Sequence, residues 1–411
     1  MKQYLVGGAL RDELLKLSVV DRDWVVVGST PDEMLNAGFK SVGKDFPVFL
    51  HPESYEEYAL ARIERKTGPG YRGFEFNTDS TVTLEEDLSR RDLTINAMAR
   101  RDTGEIVDPF NGRQDLENRL LRHVSLAFTE DPVRVLRVAR FMARLSHLNF
   151  KVAEDTLGLM RSMVDNGEVE NLVAERVWQE MQGALAARCP RAFFDTLRQC
   201  SALASILPEV NALFGVPQPE KWHPEIDSGL HTMMVLEQCT KLSEEVDVRF
   251  AGVCHDLGKA TTPADVLPSH RGHEQRGALI TKTLCQRLRV PRKTTELAVL
   301  SARYHTHCHR VRDLNASSLA KLLQSLDVIR KPQRFEQFLL ICIADARGRL
   351  GFENALYPQA GILRNAAQAF REIDVADIAR QIADKSTIAD VVTQARVNAM
   401  KQWQIKQNFN G

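Results

Sequence analysis

The chain has 411 residues, of which 44% are hydrophobic and 26% are charged, so it is long enough for two or three globular domains. Its 54 Lys and Arg residues equal its 54 Asp and Glu residues, which argues against a protein that coats nucleic acid through overall positive charge. Any RNA must therefore bind a local basic patch. No segment approaches the roughly 18 apolar residues of a membrane span, so we expect no membrane partner.

The seven cysteines lie between Cys189 and Cys342 and form no CxxC pair. Scattered single thiols favour a reducing compartment and argue against disulfides or zinc knuckles. The first residues, MKQYLVGG, have no apolar segment of the kind that a signal peptide needs. We therefore expect a cytoplasmic protein.

The first 125 residues alternate short apolar runs with turns. This pattern predicts strands at residues 4–7, 24–29, 47–51 and 58–62 and helices at residues 9–17 and 84–99. Between these elements, residues 65–80 are rich in glycine, charge and aromatic side chains, which predicts a mobile loop.

Helical periodicity dominates the chain from about residue 128 onward. One interruption, GVPQPEKWHPE at residues 215–225, carries three prolines and indicates a domain linker or boundary. The predicted fold class is therefore an α+β head with a small sheet, followed by an all-α body.

The segment GGALRD follows the first predicted strand and opens a helix. Glycines at such a turn let backbone N–H groups approach phosphate oxygens, and the helix N-terminus favours an anion. Arg11 lies one turn further and can point at the same anion, beside Gly8. The alternative is a simple strand–turn–helix connection.

Asp21 and Asp23 lead into the second predicted strand. Residues two apart on a strand share a face, so two carboxylates converge there and attract a hard cation such as Mg²⁺. The alternative is a solvated turn before a strand. A third signal, RRDLTINA at residues 90–97, is predicted to be helical, and by itself it is also compatible with a charged helix surface.

Taken together, GGALRD, DRD, RRDLTINAM and DPFNG (108–112) resemble the head of the class II tRNA nucleotidyltransferase and bacterial poly(A) polymerase family, within the polymerase-β-like superfamily. The resemblance implies that Asp21 and Asp23 are catalytic and hold Mg²⁺. It also implies that the nucleotide is contacted by Gly8, Arg11 and Arg91. The superfamily has a third carboxylate, for which Glu57 and Glu64 are candidates.

A basic helix is predicted after Pro132, because four arginines fall on one arc of about 120° with apolar residues opposite. These arginines are Arg134, Arg137, Arg140 and Arg144. The alternative is an ordinary solvated surface helix. We favour a binding face, because few acidic residues share that arc to neutralise it.

Asp131 and Arg134 suggest a way to select bases. Cytosine and adenine both present an amine beside a ring-nitrogen acceptor, so a carboxylate and a guanidinium together accept them and reject guanine and uracil. The family resemblance assigns the same role to its EDxxR motif, here Glu130, Asp131 and Arg134, and places Arg137 and Arg140 against the triphosphate or ribose. The alternative is that Asp131 only caps the helix.

A second set of residues, in the helical body, resembles the HD phosphohydrolase superfamily. That resemblance implies a metal site made by an upstream histidine, an adjacent His–Asp pair and a distant aspartate, here His231, His255, Asp256 and Asp345. His255 and Asp256 would be the catalytic pair, and such ligands suit Mg²⁺ or a transition metal such as Ni²⁺. The alternative for the pair is a helix C-cap. His273 and His305 either complete the site or lie on the surface.

A head of this kind beside an HD domain resembles the CCA-adding enzymes that carry a second activity. This resemblance implies template-independent addition and repair of the 3′ CCA of tRNA from CTP and ATP. It also implies phosphatase, 2′-nucleotidase and 2′,3′-cyclic phosphodiesterase activity, in a monomer or homodimer. The expected domains are the nucleotidyltransferase head (1–140), a helical neck (141–224), the HD domain (225–350) and a helical tail (351–411).

Three alternatives stay open. A bacterial poly(A) polymerase shares the head motifs, although the HD domain disfavours it. An enzyme that adds only CC or only A is poorly separated by sequence. A phosphohydrolase that uses a degenerate head to bind RNA is disfavoured by the presence of both Asp21 and Asp23.

Overall fold

The structure is a computed structural model that describes residues 1–19, 21–42, 48–66, 74–382 and 384–408. The chain divides into two compact units, Met1–Ile206 and Leu207–Gly411. We describe each unit by itself. The finer division into four domains remains a prediction.

The first unit begins with an α+β region built on a mixed sheet. Its elements are β1 (Lys2–Val6), α1 (Gly8–Leu14), β2 (Asp23–Val27), α2 (Pro31–Asn36), β3 (Lys40–Ser41), β4 (Val48–Leu50), β5 (Glu57–Leu60), β6 (Ile63–Lys66), β7 (Phe74–Asn77), α3 (Leu84–Ser89), β8 (Ala99–Arg101), β9 (Ile106–Val107), α4 (Gly112–Asn118) and β10 (Leu120–Leu121). Seven strands form one sheet in the order β3-β4-β5-β2-β1-β8-β9, in which β2 and β5 are parallel and the other neighbours antiparallel. The predicted α+β head with a small sheet is confirmed, and the sheet is mixed.

The sheet buries apolar side chains on both faces, because successive residues of a strand point to opposite sides. Tyr4 and Val6 of β1 belong to one buried cluster, which also contains Leu88 of α3. Val26 of β2 belongs to a second cluster, with Met34 of α2. The first cluster holds β1 and β2 against α3, the second holds β2 and β5 against α2, and the candidate site lies at the ends of these strands.

The predicted helix over residues 84–99 is wrong beyond Ser89. Thr83 and Glu86 form a capping box that starts α3, and the helix ends at Arg90. Asp92 then accepts hydrogen bonds from the backbone N–H of Leu93 (2.8 Å) and from the side chain of Asn96 (3.0 Å). Such local bonds compete with helical ones, and RRDLTINA forms a turn and a short 3₁₀ helix (Thr94–Asn96) instead of an α-helix.

The predicted loop at residues 65–80 is also partly wrong. β6 and β7 pair antiparallel from Ile63↔Asn77 to Lys66↔Phe74, so strand residues reach into both ends of that range. Residues 67–73 lie outside the described part of the chain, and so does the side chain of Glu64.

The rest of the first unit is almost entirely helical, as predicted. It contains α5 (Val133–Leu145), the two-residue strand β11 (Lys151–Val152), α6 (Glu154–Asp165), α7 (Ala174–Ala186), α8 (Arg191–Gln199) and α9 (Ala202–Ile206). The apolar face of α5, which includes Leu136 and Ala139, is buried where α5 packs against α7 and α8. This packing turns the arginine face of α5 towards the sheet side of the unit.

The second unit is all-α. It consists of α10 (Pro208–Asn211), α11 (Ser228–Leu242), α12 (Val246–Cys254), α13 (His273–Arg287), α14 (Arg292–His309), α15 (Ala316–Ser325), α16 (Pro332–Arg347), α17 (Pro358–Arg371), α18 (Val375–Gln381) and α19 (Ile388–Lys406). α12 is buried along most of its length and packs against α11, α14 and α16. The proline-rich residues 215–225 lie within this unit rather than between the units.

Two expectations about the whole chain can be compared with the structure. All seven cysteines are free thiols, and six of them are buried, which agrees with the expected absence of disulfides. Among the described residues, no helix combines the length and the apolar character that crossing a bilayer requires.

Candidate functional sites

The first candidate site is a cavity of about 590 Å³ in the first unit. Its lining includes four carboxylates: Asp23, Glu57, Asp92 and Asp131. It also includes nine arginines: Arg11, Arg62, Arg90, Arg91, Arg134, Arg137, Arg140, Arg144 and Arg176. A chain with no net charge thus concentrates positive charge in one concave place, which suits a polyphosphate.

The glycine turn forms one wall of this cavity. Gly7 has φ of 69°, a conformation that glycine adopts without steric cost, and a Cβ there would lie 3.2 Å from Nη1 of Arg91. Gly8 starts α1 and lines the cavity. Arg11 is only 2% exposed, and its guanidinium donates to Asp12 (2.9 Å) and Asn96 (2.7 Å). Gly8, Arg11 and Arg91 therefore meet as predicted, although Arg11 is already held by neighbours.

The carboxylates lie at the start of β2. Asp23 is the first residue of that strand, whereas Asp21 precedes it, so the argument that both share one strand face does not apply to Asp21. Both side chains nevertheless line an adjoining cavity of about 630 Å³ together with Glu57. Burial raises the pKa of Asp23, the charge of Arg91 lowers it, and Asp21 raises it further.

Glu57 is the better placed of the two candidates for a third carboxylate. In the parallel pair of β2 and β5, Asp23 and Glu57 are register partners, so their Cα atoms are direct neighbours across the strands. Both residues line both cavities. The pairing of Asp23 with Glu57 could not be predicted from the sequence, because nothing in the pattern of residues shows which strands are adjacent.

α5 itself carries no acidic residue, in line with the prediction, but carboxylates of other elements contact its arginine face. Arg137 contacts Asp92 (2.7 Å), Arg140 contacts Glu180 of α7 (2.5 Å) and Arg144 contacts Asp12 of α1 (2.6 Å). The carboxylates come from other elements, which the helix pattern alone could not reveal. The charge of the arginines of α5 is therefore partly compensated and held in position.

Asp131 and Arg134 both line the cavity, but their hydrogen bonds go elsewhere. Asp131 accepts a two-pronged contact from Arg176 of α7 (2.8 and 3.2 Å) and also accepts from the backbone N–H of Val133 (3.1 Å). Arg134 donates to the carbonyls of Ala127 and Arg90, both at 2.6 Å. Sequence reasoning missed Arg176, which stands 45 residues away on a helix whose charges looked like an ordinary surface.

The second candidate site is a buried cluster of histidines and aspartates in the second unit. His231 comes from α11, His255 and Asp256 end α12, and Asp345 comes from α16. Each is at most 3% exposed. Nε2 of His231 lies 3.3 Å from Asp345 and 3.6 Å from Asp256, and Nε2 of His255 lies 3.1 Å from Asp256. The structure thus brings together all four residues predicted from the HD resemblance.

The imidazole rings of His231 and His255 are oriented by hydrogen bonds of Nδ1 to backbone carbonyls. Nδ1 of His231 lies 3.0 Å from the carbonyl of Gly348, and Nδ1 of His255 lies 2.7 Å from the carbonyl of Gly252. Each Nδ1 therefore carries a proton, and each Nε2 faces the carboxylates. Both Nε2 atoms and Oδ1 of Asp256 are buried without a well-formed hydrogen bond in the described part of the chain. These buried nitrogen and oxygen atoms are suitable ligands for a divalent metal ion.

His273 and His305 are buried, so they are not surface histidines. Their Nε2 atoms lie 3.3 and 3.5 Å from Oδ1 of Asp256 and 3.2 Å from each other. A Cβ on Gly258 would come within 2.0 Å of the carbonyl of His273, so glycine is required where the turn after the His–Asp pair meets α13. The turn thereby brings Asp256 against both histidines.

Further residues of this cluster were missed or not assigned a role. Nζ of Lys259 lies 2.6 Å from Asp256, and Nε2 of His309 lies 2.7 Å from Asp345 while its Nδ1 meets the hydroxyl of Tyr357. Burial by itself would raise the pKa of Asp256, but His255 and Lys259 hold it well below its usual range. Asp256 is therefore an anion, the form that binds a cation.

Three segments of the chain match known protein families. Residues 3–122 match the poly A polymerase head domain, residues 149–214 match the probable RNA and SrmB-binding site of polymerase A, and residues 229–331 match the HD domain. A nucleotidyltransferase head and an HD domain both depend on divalent metal ions, in agreement with the groups of potential ligands in the second unit.

Curated relatives cover the whole chain. The multifunctional CCA protein of Thioalkalivibrio sulfidiphilus (strain HL-EbGR7) is 58% identical over 411 residues, which is 100% of both chains. That of Teredinibacter turnerae (strain ATCC 39867 / T7901) is 56% identical over 98% of both chains.

Solved structures share the fold at low identity. An apo form of a CCA-adding enzyme has a TM-score of 0.66 at 20% identity, covering 97% of this chain and 88% of that one. The Thermotoga maritima CCA-adding enzyme complexed with tRNA has a TM-score of 0.62 at 19% identity, covering 98% of this chain and 87% of that one.

Proposed function

We propose that this chain, which belongs to the family of multifunctional CCA proteins, adds and repairs the 3′-terminal CCA of tRNA from CTP and ATP without a nucleic-acid template. The observation that carries the proposal is the cavity of the first unit, where nine arginines surround the strand ends that bear Asp23 and Glu57. A nucleoside triphosphate needs both halves of this arrangement. The arginines would bind its phosphates, and the carboxylates would hold the Mg²⁺ that the reaction needs.

In this proposal Asp21 and Asp23 hold Mg²⁺, and Glu57 stands beside them as the third carboxylate. Mg²⁺ supplies activation of the attacking hydroxyl and neutralises the leaving pyrophosphate. The backbone at Gly8 and the guanidiniums of Arg11 and Arg91 contact the phosphates at the end of β1.

Base selection is assigned to Asp131 and Arg134, and α5 presents Arg137 and Arg140 to the triphosphate or ribose. Arg176 holds the Asp131 carboxylate by a two-pronged contact, which supports a fixed orientation before the base arrives. Pro132 is the N-cap residue of α5, so Asp131 does not cap the helix in the usual way, although it accepts from the N–H of Val133, the first helical residue. One carboxylate can accept this bond and still face a base, because it has two oxygens.

A second activity is proposed for the second unit: phosphatase, 2′-nucleotidase and 2′,3′-cyclic phosphodiesterase reactions at the HD cluster. His231, His255, Asp256 and Asp345 would hold a divalent ion, for which Ni²⁺ or another transition metal suits the imidazole ligands. The metal supplies hydroxide for attack on a phosphate ester. Asp256 presents its other oxygen to His273 and His305, so the cluster has donor atoms for two adjacent ions.

The substrate is then tRNA in the cytoplasm, and the chain acts as a monomer or homodimer. A repair enzyme has a use for the second activity, because a damaged end must carry a free 3′-hydroxyl before a nucleotide can be added. We expect this hydroxyl to be produced in the second unit and used in the first.

The test is extension of a tRNA that ends at the discriminator base, with CTP, ATP or both. CTP alone should add two residues, and both nucleotides together should add CCA and stop. Long tails from ATP alone would instead identify a poly(A) polymerase, and a product that stops at CC with both nucleotides would identify a CC-adding enzyme. Both results would contradict the proposal.

A further inference from the structure

The proline-rich residues 216–228 form a closed loop on the surface of the second unit. The backbone N–H of Ser228 donates to the carbonyl of Val216 (3.0 Å), and that of Gln218 donates to the carbonyl of Ile226 (2.6 Å), so the two ends are joined. Asp227 caps α11 by accepting from the N–H of Leu230 (2.8 Å). The loop is thereby fixed to the helix that carries His231.

This loop contacts the HD cluster at two points and is anchored beside it at a third. The anchor is the carbonyl of Pro217, which accepts from Nε2 of His270 (2.9 Å), three residues before His273. The side chain of Gln218 accepts from Lys259, the lysine that contacts Asp256. Oε1 of Glu225 lies 3.0 Å from Nδ1 of His231. A segment whose composition indicated a linker is therefore a wall of the buried cluster.

Glu225 is buried and held from two sides. Its side chain is 4% exposed, and the same oxygen that faces His231 also lies 3.0 Å from Nδ1 of His223. The rings of His223 and His231 pack edge to face with centroids 4.7 Å apart. These contacts keep the carboxylate in one place relative to the His231 ring.

Nδ1 of His231 thus has two acceptors, the carbonyl of Gly348 and the carboxylate of Glu225. The carbonyl of Gly348 is enough by itself to keep a proton on Nδ1 of His231. A carboxylate adds negative charge behind the ring, which increases the basicity of the Nε2 atom that faces Asp256 and Asp345.

We propose that Glu225 is a positioning residue of the phosphohydrolase site, and that through His231 it strengthens the binding of a divalent metal by the HD cluster. The inference rests on the proposed phosphohydrolase function. Glu225 itself does not touch the metal in this account. It acts on the ring that does, and the closed loop fixes its distance from that ring.

The test measures Ni²⁺ binding to the full chain by calorimetry after chelation, with Mg²⁺ present to occupy the head carboxylates. Asp256→Ala defines the Ni²⁺ that binds elsewhere. Glu225→Ala should weaken binding by about 10–100-fold, the usual cost of losing such a partner. Glu225→Gln keeps an acceptor oxygen but loses the charge, so it should show a smaller loss. Glu220→Gln, an exposed change in the same loop, should bind as the wild type does.

A second readout separates positioning from folding. Cyclic phosphodiesterase activity of Glu225→Ala should return towards the wild-type value at saturating Ni²⁺, and its metal-free melting temperature should match that of Glu220→Gln. If Glu225→Ala does not fold, Glu225→Gln decides, and wild-type affinity in that variant contradicts the inference. Wild-type affinity in a folded Glu225→Ala protein also contradicts it. A wild type that binds no more Ni²⁺ than Asp256→Ala contradicts the proposed HD metal site itself.

Discussion

The two candidate sites differ in how much of their chemistry is assembled before a substrate arrives. Asp23 lines the arginine-lined cavity and, with Asp21, the cavity that adjoins it, and both residues are accessible to solvent, whereas His231, His255 and Asp256 are almost completely buried. Mg²⁺ in nucleotide enzymes is held by one or two carboxylates together with substrate phosphates. The first site has the features of one that the nucleotide completes. The second has a full set of protein donors, whose rings are already oriented by Gly348, Gly252 and Glu225.

We expect the two sites to work independently of each other, since each set of residues lies within one compact unit. The first test of this independence is Asp23→Ala, for which we expect the largest effect. Nucleotide addition should fall by about 1,000-fold or more, which corresponds to about 4 kcal/mol of transition-state stabilisation. Asp21→Ala should act in the same direction, because it removes the other metal carboxylate. The measurement is single-turnover CMP addition to tRNA.

Asp32→Ala serves as the control for this prediction, because Asp32 is an exposed acid in the same unit. Cyclic phosphodiesterase activity should be unchanged in all three variants. Loss of both activities in a folded Asp23→Ala protein would show that the two sites are not independent.

The converse change is His255→Ala or Asp256→Ala. Phosphohydrolase activity should fall by about 100-fold or more, because the metal loses a ligand and the opposing buried charges lose their partner. CMP addition should stay at the wild-type rate. Hydrolysis of 2′,3′-cyclic AMP is the measurement, and the exposed Asp265→Ala provides the matched control. Full cyclic phosphodiesterase activity in Asp256→Ala would exclude this cluster as the hydrolytic site.

Local motifs were predictable from sequence, because their residues are close together along the chain. Gly8 with Arg11, and His255 with Asp256, are set by one turn or one helix end. Their surroundings were not predictable. The contact of Asp131 with Arg176 joins residues on different elements, and no periodicity reveals which helices are neighbours.

One segment was misinterpreted, and a second has a role that its composition does not show. RRDLTINAM has helix-compatible residues, yet α3 ends at Ser89, and the short side chain of Asp92 accepts hydrogen bonds from Leu93 and Asn96 in the turn that follows. Residues 215–225 do lie between the segments that match the RNA-binding model and the HD model, as a boundary should, but Glu225 within them also faces His231. A composition count cannot show whether a carboxylate such as Asp92 or Glu225 is buried.

A smaller effect is expected from Asp131→Ala, which tests base selection in the cavity of the first unit. Removing the carboxylate should cost about 1–3 kcal/mol of base discrimination, the usual value of one good two-pronged base contact. The kcat/KM for CTP and for ATP should fall, and the ratio of these values to those for UTP and GTP should become smaller. The measurement is kcat/KM for all four nucleotides, with Asp165→Ala as an exposed control. Unchanged ratios in a folded variant would leave only the capping role.

The smallest effect concerns stability. Burial by itself would raise the pKa of Asp92, but Arg137 and the hydrogen bonds to Asp92 lower it well below its usual range. A lowered folded-state pKa means that Asp92 stabilises the fold above the unfolded value of about 3.9 and loses this contribution as the pH falls below it. Asp92→Asn should therefore cost about 1–3 kcal/mol at pH 7.

The measurement is urea unfolding of Asp92→Asn and wild type, with the exposed Asp32→Asn as control. The difference between Asp92→Asn and wild type should narrow as the pH is lowered to about 3.5, below the unfolded value. A difference that is the same at both pH values would show that the Asp92 charge does not stabilise the head.

The central claim is that one chain carries two separate sites that act in sequence on one tRNA end. The most direct test uses tRNA that ends in a 2′,3′-cyclic phosphate at the discriminator base, supplied with CTP and ATP. Wild type should convert it to CCA-ended tRNA, and neither Asp23→Ala nor Asp256→Ala should do so alone. An equal mixture of the two variants should restore the product, because each supplies the site that the other lacks. Conversion by Asp256→Ala alone, or failure of the mixture while each variant keeps its own remaining activity, would contradict the account.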